Sequence, residues 1–407
     1  MQNQTLTFLL AGGVGSRLHP LTSSRSKPSV PFGGKYRIID FTLANCLHSG
    51  LRRILVLTQY KSHSLNKHLR DGWSIFNPEL GEYITPVPAQ MNSGEHWYQG
   101  TADAIFQNLN LLERSNAEYT LILSGDHIYR MDYAAMLSAH QEQGADVTIA
   151  CMEVPVEEAK AFGVVVTNAD LKIIAFEEKP GQPTPLPENP EKALVSMGLY
   201  VFSTKLLSRA LVEDQHNDAS SHDFGKDILP RLVQHHKVQA YKFGGARGRV
   251  TPDRYWRDVG TLDAYYQANM DLLKPFPPLN LYQRDWPIRT YQPQSPPART
   301  INGNSGAESV FVNSILAGGV VISGGSVRHS ILFQDIFIDE NAIIEKSILF
   351  GGVHVGTGAR LQNCIIDQNV SIPPGEQIGY DLVKDRNRFT VSEKGIVVVP
   401  KDFVFVS

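Results

Sequence analysis

A repeat near the carboxyl end constrains this chain more than any other feature. Four short motifs align: N-S-I-L at Asn313, H-S-I-L at His329, K-S-I-L at Lys346 and N-C-I-I at Asn363. Their anchors, Ser314, Ser330, Ser347 and Cys364, are spaced 16, 17 and 17 residues apart. Each anchor is followed at the sixth position by an apolar residue (Val320, Ile336, Val353, Val370) and at the eighth by another (Ile322, Ile338, Val355, Ile372). Coils of near-constant length bury such aliphatics by stacking on one another, which is the signature of a β-solenoid. The alternative is a β-sandwich with coincidental spacing, and agreement at three offsets favours the solenoid. The apolar run Ile396–Val406 is expected to cap the stack.

The first 260 residues carry a different pattern. Strand-like runs occupy Thr5–Leu10, Arg53–Thr58, Tyr119–Leu123, Val147–Met152, Ile173–Phe176 and Gly198–Phe202. Helix-like patterns, such as Ala102–Arg114 and Tyr133–Gln143, lie between several of them. This alternation predicts an α/β domain whose mostly parallel sheet is wrapped by helices, with ligands at the carboxyl ends of the strands. Seven of the 24 prolines fall between Pro275 and Pro297. That stretch reads as a linker, ordered in part because Tyr282, Trp286 and Tyr291 give it something to bury. The expected division is an α/β domain over 1–274, a linker over 275–307 and a solenoid over 308–407.

No apolar run approaches the roughly 18 residues needed to span a membrane. The start M-Q-N-Q-T lacks the basic, then apolar, pattern of a signal peptide. Cys46, Cys151 and Cys364 are far apart and odd in number, which points to reduced, buried thiols in a cytoplasmic protein. None forms a metal-ligand pair. His63 and His68 are expected on a solvated helix.

Charge is distributed unevenly. The first 70 residues hold ten Lys/Arg and one acid, Asp40, which leaves −12 for the rest of a chain whose net charge is −3. A basic amino-terminal segment on a slightly acidic protein suits a small anionic ligand and argues against nucleic acid. Within it, the first strand runs into a glycine-rich loop, A-G-G-V-G-S-R, followed by Arg17, Arg25 and Lys27. Gly12, Gly13 and Gly15 let backbone N–H groups approach an anion, and a forked cation with a point charge suits a polyphosphate. A simple tight turn with solvated cations is the alternative, weakened by the lack of nearby acids.

Asp126 ends the apolar run of L-I-L-S-G-D-H-I-Y, where it could hold Mg²⁺ against phosphates or cap a turn. Asp258, in Y-W-R-D-V-G-T, is the acid to pair with it, although spacing alone does not bring them together. F-E-E-K-P offers Lys179 to a sugar phosphate and Glu178 to sugar hydroxyls, or else forms an ordinary surface pair. In W-Y-Q-G-T-A-D, Thr101 and Asp103 look like capping residues, and the aromatics suit a site or a core equally.

Together these segments resemble the glucose-1-phosphate adenylyltransferases, the bacterial form most closely, nearly end to end. The resemblance rests on L-A-G-G-V-G-S-R-L, S-K-P-S-V-P-F-G-G-K-Y-R-I-I-D-F, W-Y-Q-G-T-A-D-A, S-G-D-H-I-Y, F-E-E-K-P, S-S-H-D-F-G-K-D and Y-W-R-D-V-G-T. It implies a Rossmann-like nucleotidyltransferase domain followed by a left-handed parallel β-helix. It also implies adenylyl transfer from ATP to α-D-glucose 1-phosphate with Mg²⁺, for glycogen synthesis, in a homotetramer under metabolite control. By the same resemblance Asp126 and Asp258 hold the metal, while Arg17 and Lys27 neutralise the triphosphate. Gly12, Gly13, Gly15, Gly100 and Gln90 cradle the nucleotide, with Gln90 at the adenine. Lys179 takes the sugar phosphate. Glu178, Ser196 and Gly163 hold the glucose hydroxyls, with Tyr98 beside them.

For regulation, the resemblance implies an anionic effector held by Arg25, Arg37 and Arg388, namely a fructose 1,6-bisphosphate-like activator and an AMP inhibitor. Ser24 and Pro31 depart from the family's pattern there, which implies an unusual effector preference. Gln59 and Trp97 are expected to couple effector and active site. The rivals are a transferase for another nucleotide, a non-catalytic regulatory subunit and an acyltransferase. Retention of Arg17, Lys27, Asp126, Lys179 and Asp258 argues against the second.

Overall fold

The computed structural model describes residues 4–90, 96–245, 249 and 254–405. Thr5–Leu10 lies at the centre of a nine-stranded sheet. It pairs in parallel with Arg53–Thr58 on one side and Tyr119–Ser124 on the other, and Arg53–Thr58 pairs in parallel with Tyr83–Pro88. Successive side chains point to opposite faces, so Phe8 enters one apolar cluster and Leu9 another. The far half of the sheet is built on Lys192–Ser203, which runs antiparallel to Tyr119–Ser124 and Val147–Pro155. The expected strand Gly198–Phe202 is therefore the end of a much longer one. The glycine-rich loop belongs to the parallel half, where the carboxyl ends of three strands open on the same edge.

Tyr133–Glu142 is helical as expected. The single helix expected over 102–114 is instead two, Thr101–Phe106 and Leu109–Arg114. Asn108 is the reason. Its side-chain amide donates to the Ala104 carbonyl at 2.8 Å and to the Tyr98 hydroxyl at 2.9 Å, and its own φ of −114° has left the helical range.

The repeat winds into parallel coils whose walls are sheets of five, five and six strands. Arg299–Ile301 already pairs with Val321–Ser323, so coiling begins inside the stretch expected to be linker. Residues just before the anchors turn the corners: Asn313, His329, Lys346 and Asn363 have φ of 42°, 49°, 46° and 47°. Each left-handed residue costs roughly 1–2 kcal/mol. The anchors help offset that cost. Ser330 N–H donates to Ser314 Oγ at 3.0 Å, Ser347 N–H to Ser330 Oγ at 3.1 Å and Cys364 N–H to Ser347 Oγ at 3.4 Å. A small inward hydroxyl at each corner thus satisfies the amide of the next coil. Val397–Val399 pairs with Cys364–Ile366 and covers that wall's last coil strand, while Val406 lies outside the described residues.

The β-helix is docked, not tethered. Ile331, Phe333, Ile348, Phe350 and Ile365 join one apolar cluster with Leu18, Val30, Phe32 and Tyr265 of the α/β domain. Full burial of such side chains contributes about 1.5–3 kcal/mol each. In the proline-rich stretch Trp286 is buried and donates its indole N–H to Asn45 Oδ1 at 3.0 Å. Tyr282 and Tyr291 are exposed, contrary to expectation, and the stretch is anchored instead by Leu279, Trp286 and Ile288, which are buried. All three cysteines are free and buried. His68 is not solvated. It is buried on the helix His63–Trp73, with Nε2 2.6 Å from Asp40 Oδ1. Among the described residues, no helix is long and apolar enough to cross a membrane.

Candidate active site

The glycine-rich loop turns sharply at Gly15, whose φ of +64° lies in the left-handed region. A Cβ there would sit 3.0 Å from the Cβ of Lys27, so glycine lets the loop lie directly against that lysine. Lys27 opens the short turn Lys27–Ser29 and is itself buried. Its ammonium donates to Asp126 Oδ2 at 2.9 Å and to Asp258 Oδ1 at 2.8 Å.

Those acids meet for a topological reason. Asp126 follows the strand Tyr119–Ser124, and Asp258 ends Trp256–Asp258, which pairs antiparallel with His127–Tyr129. In that register Asp258 stands opposite His127, one residue after Asp126. The Ser124 hydroxyl donates to Asp126 Oδ1, and His127 Nε2 lies 3.4 Å from the same oxygen. The imidazole packs edge-on against Trp256, with ring centres 4.8 Å apart. Burial alone would raise the Asp126 carboxyl, but His127, Lys27 and Ser124 together hold it well below the usual carboxylate range. Burial also opposes charge on Lys27, yet the two carboxylates outweigh it and hold the ammonium above its ordinary value. Burial dominates at His127 and lowers it, against the pull of Asp126 and Asp258.

One ligand atom each from Asp126, His127 and Asp258 falls within 4.8 Å of the others. Two hard carboxylates and an imidazole form a donor set that fits a divalent cation. Arg17 points the same way. A Cβ on Gly260 would lie 3.0 Å from both Asp258 carboxylate oxygens and 3.1 Å from Arg17 Nη2, so guanidinium and carboxylate converge over that glycine.

Gly12, Gly13, Gly15, Arg17, Lys27 and Asp126 line a cavity of about 480 Å³, and Tyr98 and Gly100 line it too. Gln59 lines the same cavity, and its Oε1 accepts the Tyr98 N–H at 2.7 Å. Gln90 is exposed and outside that lining. Gly163, Glu178, Lys179 and Ser196 are also outside it. Gly163 and Glu178 nonetheless form a group: a Cβ on Gly163 would meet Glu178 Oε2 at 3.1 Å, and one on Gly225 would meet it at 2.6 Å. Asp223 joins this group to the cavity, because it lines the cavity and accepts the Gly225 N–H at 2.9 Å. Lys179 is exposed and 3.2 Å from Glu178. Ser196 is buried, with its hydroxyl accepting the Gly198 N–H at 3.1 Å.

Asp223 and His127 received no role from sequence reasoning. His127 sits inside a motif singled out for Asp126 and Asp223 inside one quoted only for the resemblance, and no local signal says that their side chains turn toward the site. Thr101 and Asp103 act as brackets more than as simple caps. Thr101 Oγ1 accepts the Phe224 N–H at 3.0 Å, and Asp103 accepts the Gln99 N–H at 2.8 Å.

The three arginines expected at an effector are not equivalent. Arg37 lines a second cavity, of about 680 Å³, between the α/β domain and the β-helix, with Lys35, Lys67, Gln334 and Gln368. Arg25 is turned away from solvent, with its guanidinium paired to Asp367 at 2.9 Å. Arg388 pairs with Glu376 at 3.0 Å and lies over the rings of Phe389 and Phe405.

A glycine-lined cavity at the end of a parallel half-sheet, with a lysine between two carboxylates, suits a nucleotidyl transferase. That family's profile matches residues 6–275, and the GlmU-like, C-terminal hexapeptide profile matches residues 296–399, in agreement with a left-handed β-helix. The chain is 60% identical over 401 residues to glucose-1-phosphate adenylyltransferase 2 of Vibrio cholerae serotype O1, covering 98% of each chain. It is 62% identical over 400 residues to the Vibrio vulnificus strain YJ016 protein of the same name, covering 98% of this chain and 99% of that one. It is 49% identical to the glucose-1-phosphate adenylyltransferase of Paramagnetospirillum magneticum, covering 97% of this chain and 93% of that one. The chain belongs to the glucose-1-phosphate adenylyltransferase family.

Proposed function

We propose that the enzyme transfers the adenylyl group of ATP to α-D-glucose 1-phosphate, giving ADP-glucose and pyrophosphate for glycogen synthesis. A phosphate oxygen of the sugar phosphate attacks the α-phosphorus of ATP in line. The bond from that phosphorus to the bridging oxygen breaks, and pyrophosphate leaves with the electron pair. No covalent enzyme intermediate is needed, so positioning and charge stabilisation supply the catalysis.

Arg17 and Lys27 hold the triphosphate and take up charge on the departing pyrophosphate. Gly12, Gly13, Gly15 and Gly100 shape the nucleotide cradle, and Gln90 reads the adenine edge. Glu178, Gly163 and Ser196 hold the glucose, Lys179 binds its phosphate and Tyr98 flanks it. Asp126 and Asp258 hold Mg²⁺, which when bound supplies Lewis-acid charge to the phosphate oxygens. The observation that carries this reading is the Lys27 ammonium between Asp126 and Asp258 at the mouth of the glycine-rich loop.

The working unit in this reading is a cytoplasmic homotetramer. The 680 Å³ cavity beside Arg37 is where a fructose 1,6-bisphosphate-like activator or AMP acts, and the α/β domain ends near residue 274, with the β-helix coiling from Arg299 onward. Pyrophosphate release with ATP, glucose 1-phosphate and Mg²⁺ tests the activity. UTP, dTTP and CTP serve as competitors, and an effector panel tests the control. Equal rates with all four nucleotides would overturn the choice of ATP, and flat responses to every effector would end the claim of regulation.

A further inference from the structure

The metal donors and the lysine make conflicting demands. A Mg²⁺ ion sits about 2.0–2.1 Å from each oxygen that binds it and demands near-ideal octahedral geometry, which leaves no room for a second cation between the same oxygens. Here the Lys27 ammonium already lies 2.9 Å from Asp126 Oδ2 and 2.8 Å from Asp258 Oδ1. The other Asp126 oxygen accepts from Ser124 and faces His127. Asp126 therefore has no oxygen free of a donor, and the space between the two acids holds a positive charge.

We infer that Lys27 is a resident counter-ion that keeps divalent metal out of the nucleotide-free enzyme. This rests on the reading of Asp126 and Asp258 as the metal-holding pair. Lys27 lines the nucleotide cavity together with Gly12, Gly15 and Arg17. A triphosphate entering there gives the ammonium a second set of anionic partners. Once Lys27 turns to the phosphates, both carboxylates are released to a cation. One side chain thus serves two anions in turn, and metal and nucleotide bind with positive coupling that must be reciprocal. A compact point charge on a flexible four-carbon stem suits this exchange better than a rigid guanidinium.

The test is Mn²⁺ binding followed by the electron paramagnetic resonance signal of the free ion, on the full chain, with no turnover involved. Without nucleotide, wild-type protein should bind Mn²⁺ weakly, and Lys27→Met should bind it at least tenfold more tightly. With a non-hydrolysable ATP analogue present, and the Mn²⁺ held by the analogue alone subtracted by protein-free controls, that difference should shrink to under threefold. Equal Mn²⁺ affinity of nucleotide-free wild type and Lys27→Met would overturn the inference. If Lys27→Met does not fold, Lys27→Gln replaces it. Tight Mn²⁺ binding, at tens of micromolar or below, by nucleotide-free wild type overturns the inference whichever variant is used. Asp126→Asn separates the two ideas. Mn²⁺ binding in the analogue complex that is unchanged by Asp126→Asn would remove the metal pair itself, whereas loss of binding there leaves the question to Lys27.

Discussion

Arg25 Nη2 lies 2.9 Å from Asp367 Oδ1, joining the segment that carries Lys27 to the β-helix, with the two side chains only 4% and 1% exposed. Arg25 stands two residues before Lys27, and its guanidinium also reaches Gln368 Oε1 at 3.3 Å. Burial raises the Asp367 carboxyl, and Arg25 opposes that only in part. A carboxyl raised on folding contributes stability at low pH and loses it as the pH rises through its folded value. The apolar cluster around Phe350 also joins the two domains.

This sets a test of the pair. Asp367→Ala leaves a buried guanidinium unpaired and should cost roughly 3–5 kcal/mol. The double variant Arg25→Met with Asp367→Leu should recover most of that stability in urea unfolding. Turnover in the double variant should stay at least about tenfold down, because Lys27 loses a fixed approach to the phosphates. Full turnover in the stable double variant would show that the pair positions nothing.

Asp126→Asn keeps the shape of the side chain and removes its charge. Lys27 would then keep Asp258 as its one carboxylate partner there, and the donor set would lose one of its two carboxylates. Turnover should fall about a thousandfold or more, and the unfolding midpoint should also drop at neutral pH, because a carboxylate held below its ordinary range stabilises the fold there. Near-normal turnover would take Asp126 out of the chemistry.

His140 should make the fold sensitive to acid. It is buried, its Nδ1 is 2.8 Å from Thr148 Oγ1, and its Nε2 has no hydrogen-bond partner among the described residues. Burial lowers it from 6.5 to about 4. Between those values the unfolded chain binds a proton that the folded chain refuses, so stability falls as the pH falls. From pH 7 to pH 5 the loss at this one residue is on the order of 2 kcal/mol. His140→Gln should flatten the difference between urea midpoints at the two pH values, and an unchanged difference would assign it to other groups.

The sequence revealed what is periodic. The anchors and the apolar positions six and eight residues beyond them were legible, whereas the left-handed turn just before each anchor shows only in the backbone. The strand Thr5–Leu10 was legible because both its faces are buried, and so was the loop that follows it. The meeting of Asp126 with Asp258 was not legible. It depends on a three-residue pairing between His127–Tyr129 and Trp256–Asp258 that has no periodic pattern. Two further contacts were hidden in the same way, His68 against Asp40 and Arg25 against Asp367. A polar residue committed to a distant partner looks the same in sequence as one left in solvent.

Gly100 offers a prediction about the wall of the nucleotide cavity. A Cβ there would lie 2.2 Å from the His222 carbonyl oxygen and 2.6 Å from that of Ser221, and backbone cannot swing aside as a side chain can. The same His222 carbonyl accepts the N–H groups of Ala102 at 2.8 Å and Asp103 at 3.3 Å, which start the helix Thr101–Phe106. Gly100→Ala would push the carbonyl away and leave those amides unsatisfied at a helix start. The cost should be about 2–3 kcal/mol. Tyr98 and Gly100 line the cavity together, so the KM for ATP should also rise, about tenfold, more than kcat falls. Gly181→Ala is the control: it has open space around its Cβ position and should change neither stability nor KM. A Gly100→Ala enzyme with wild-type stability and KM would mean that the 221–222 backbone yields freely and that this wall does not shape the nucleotide site.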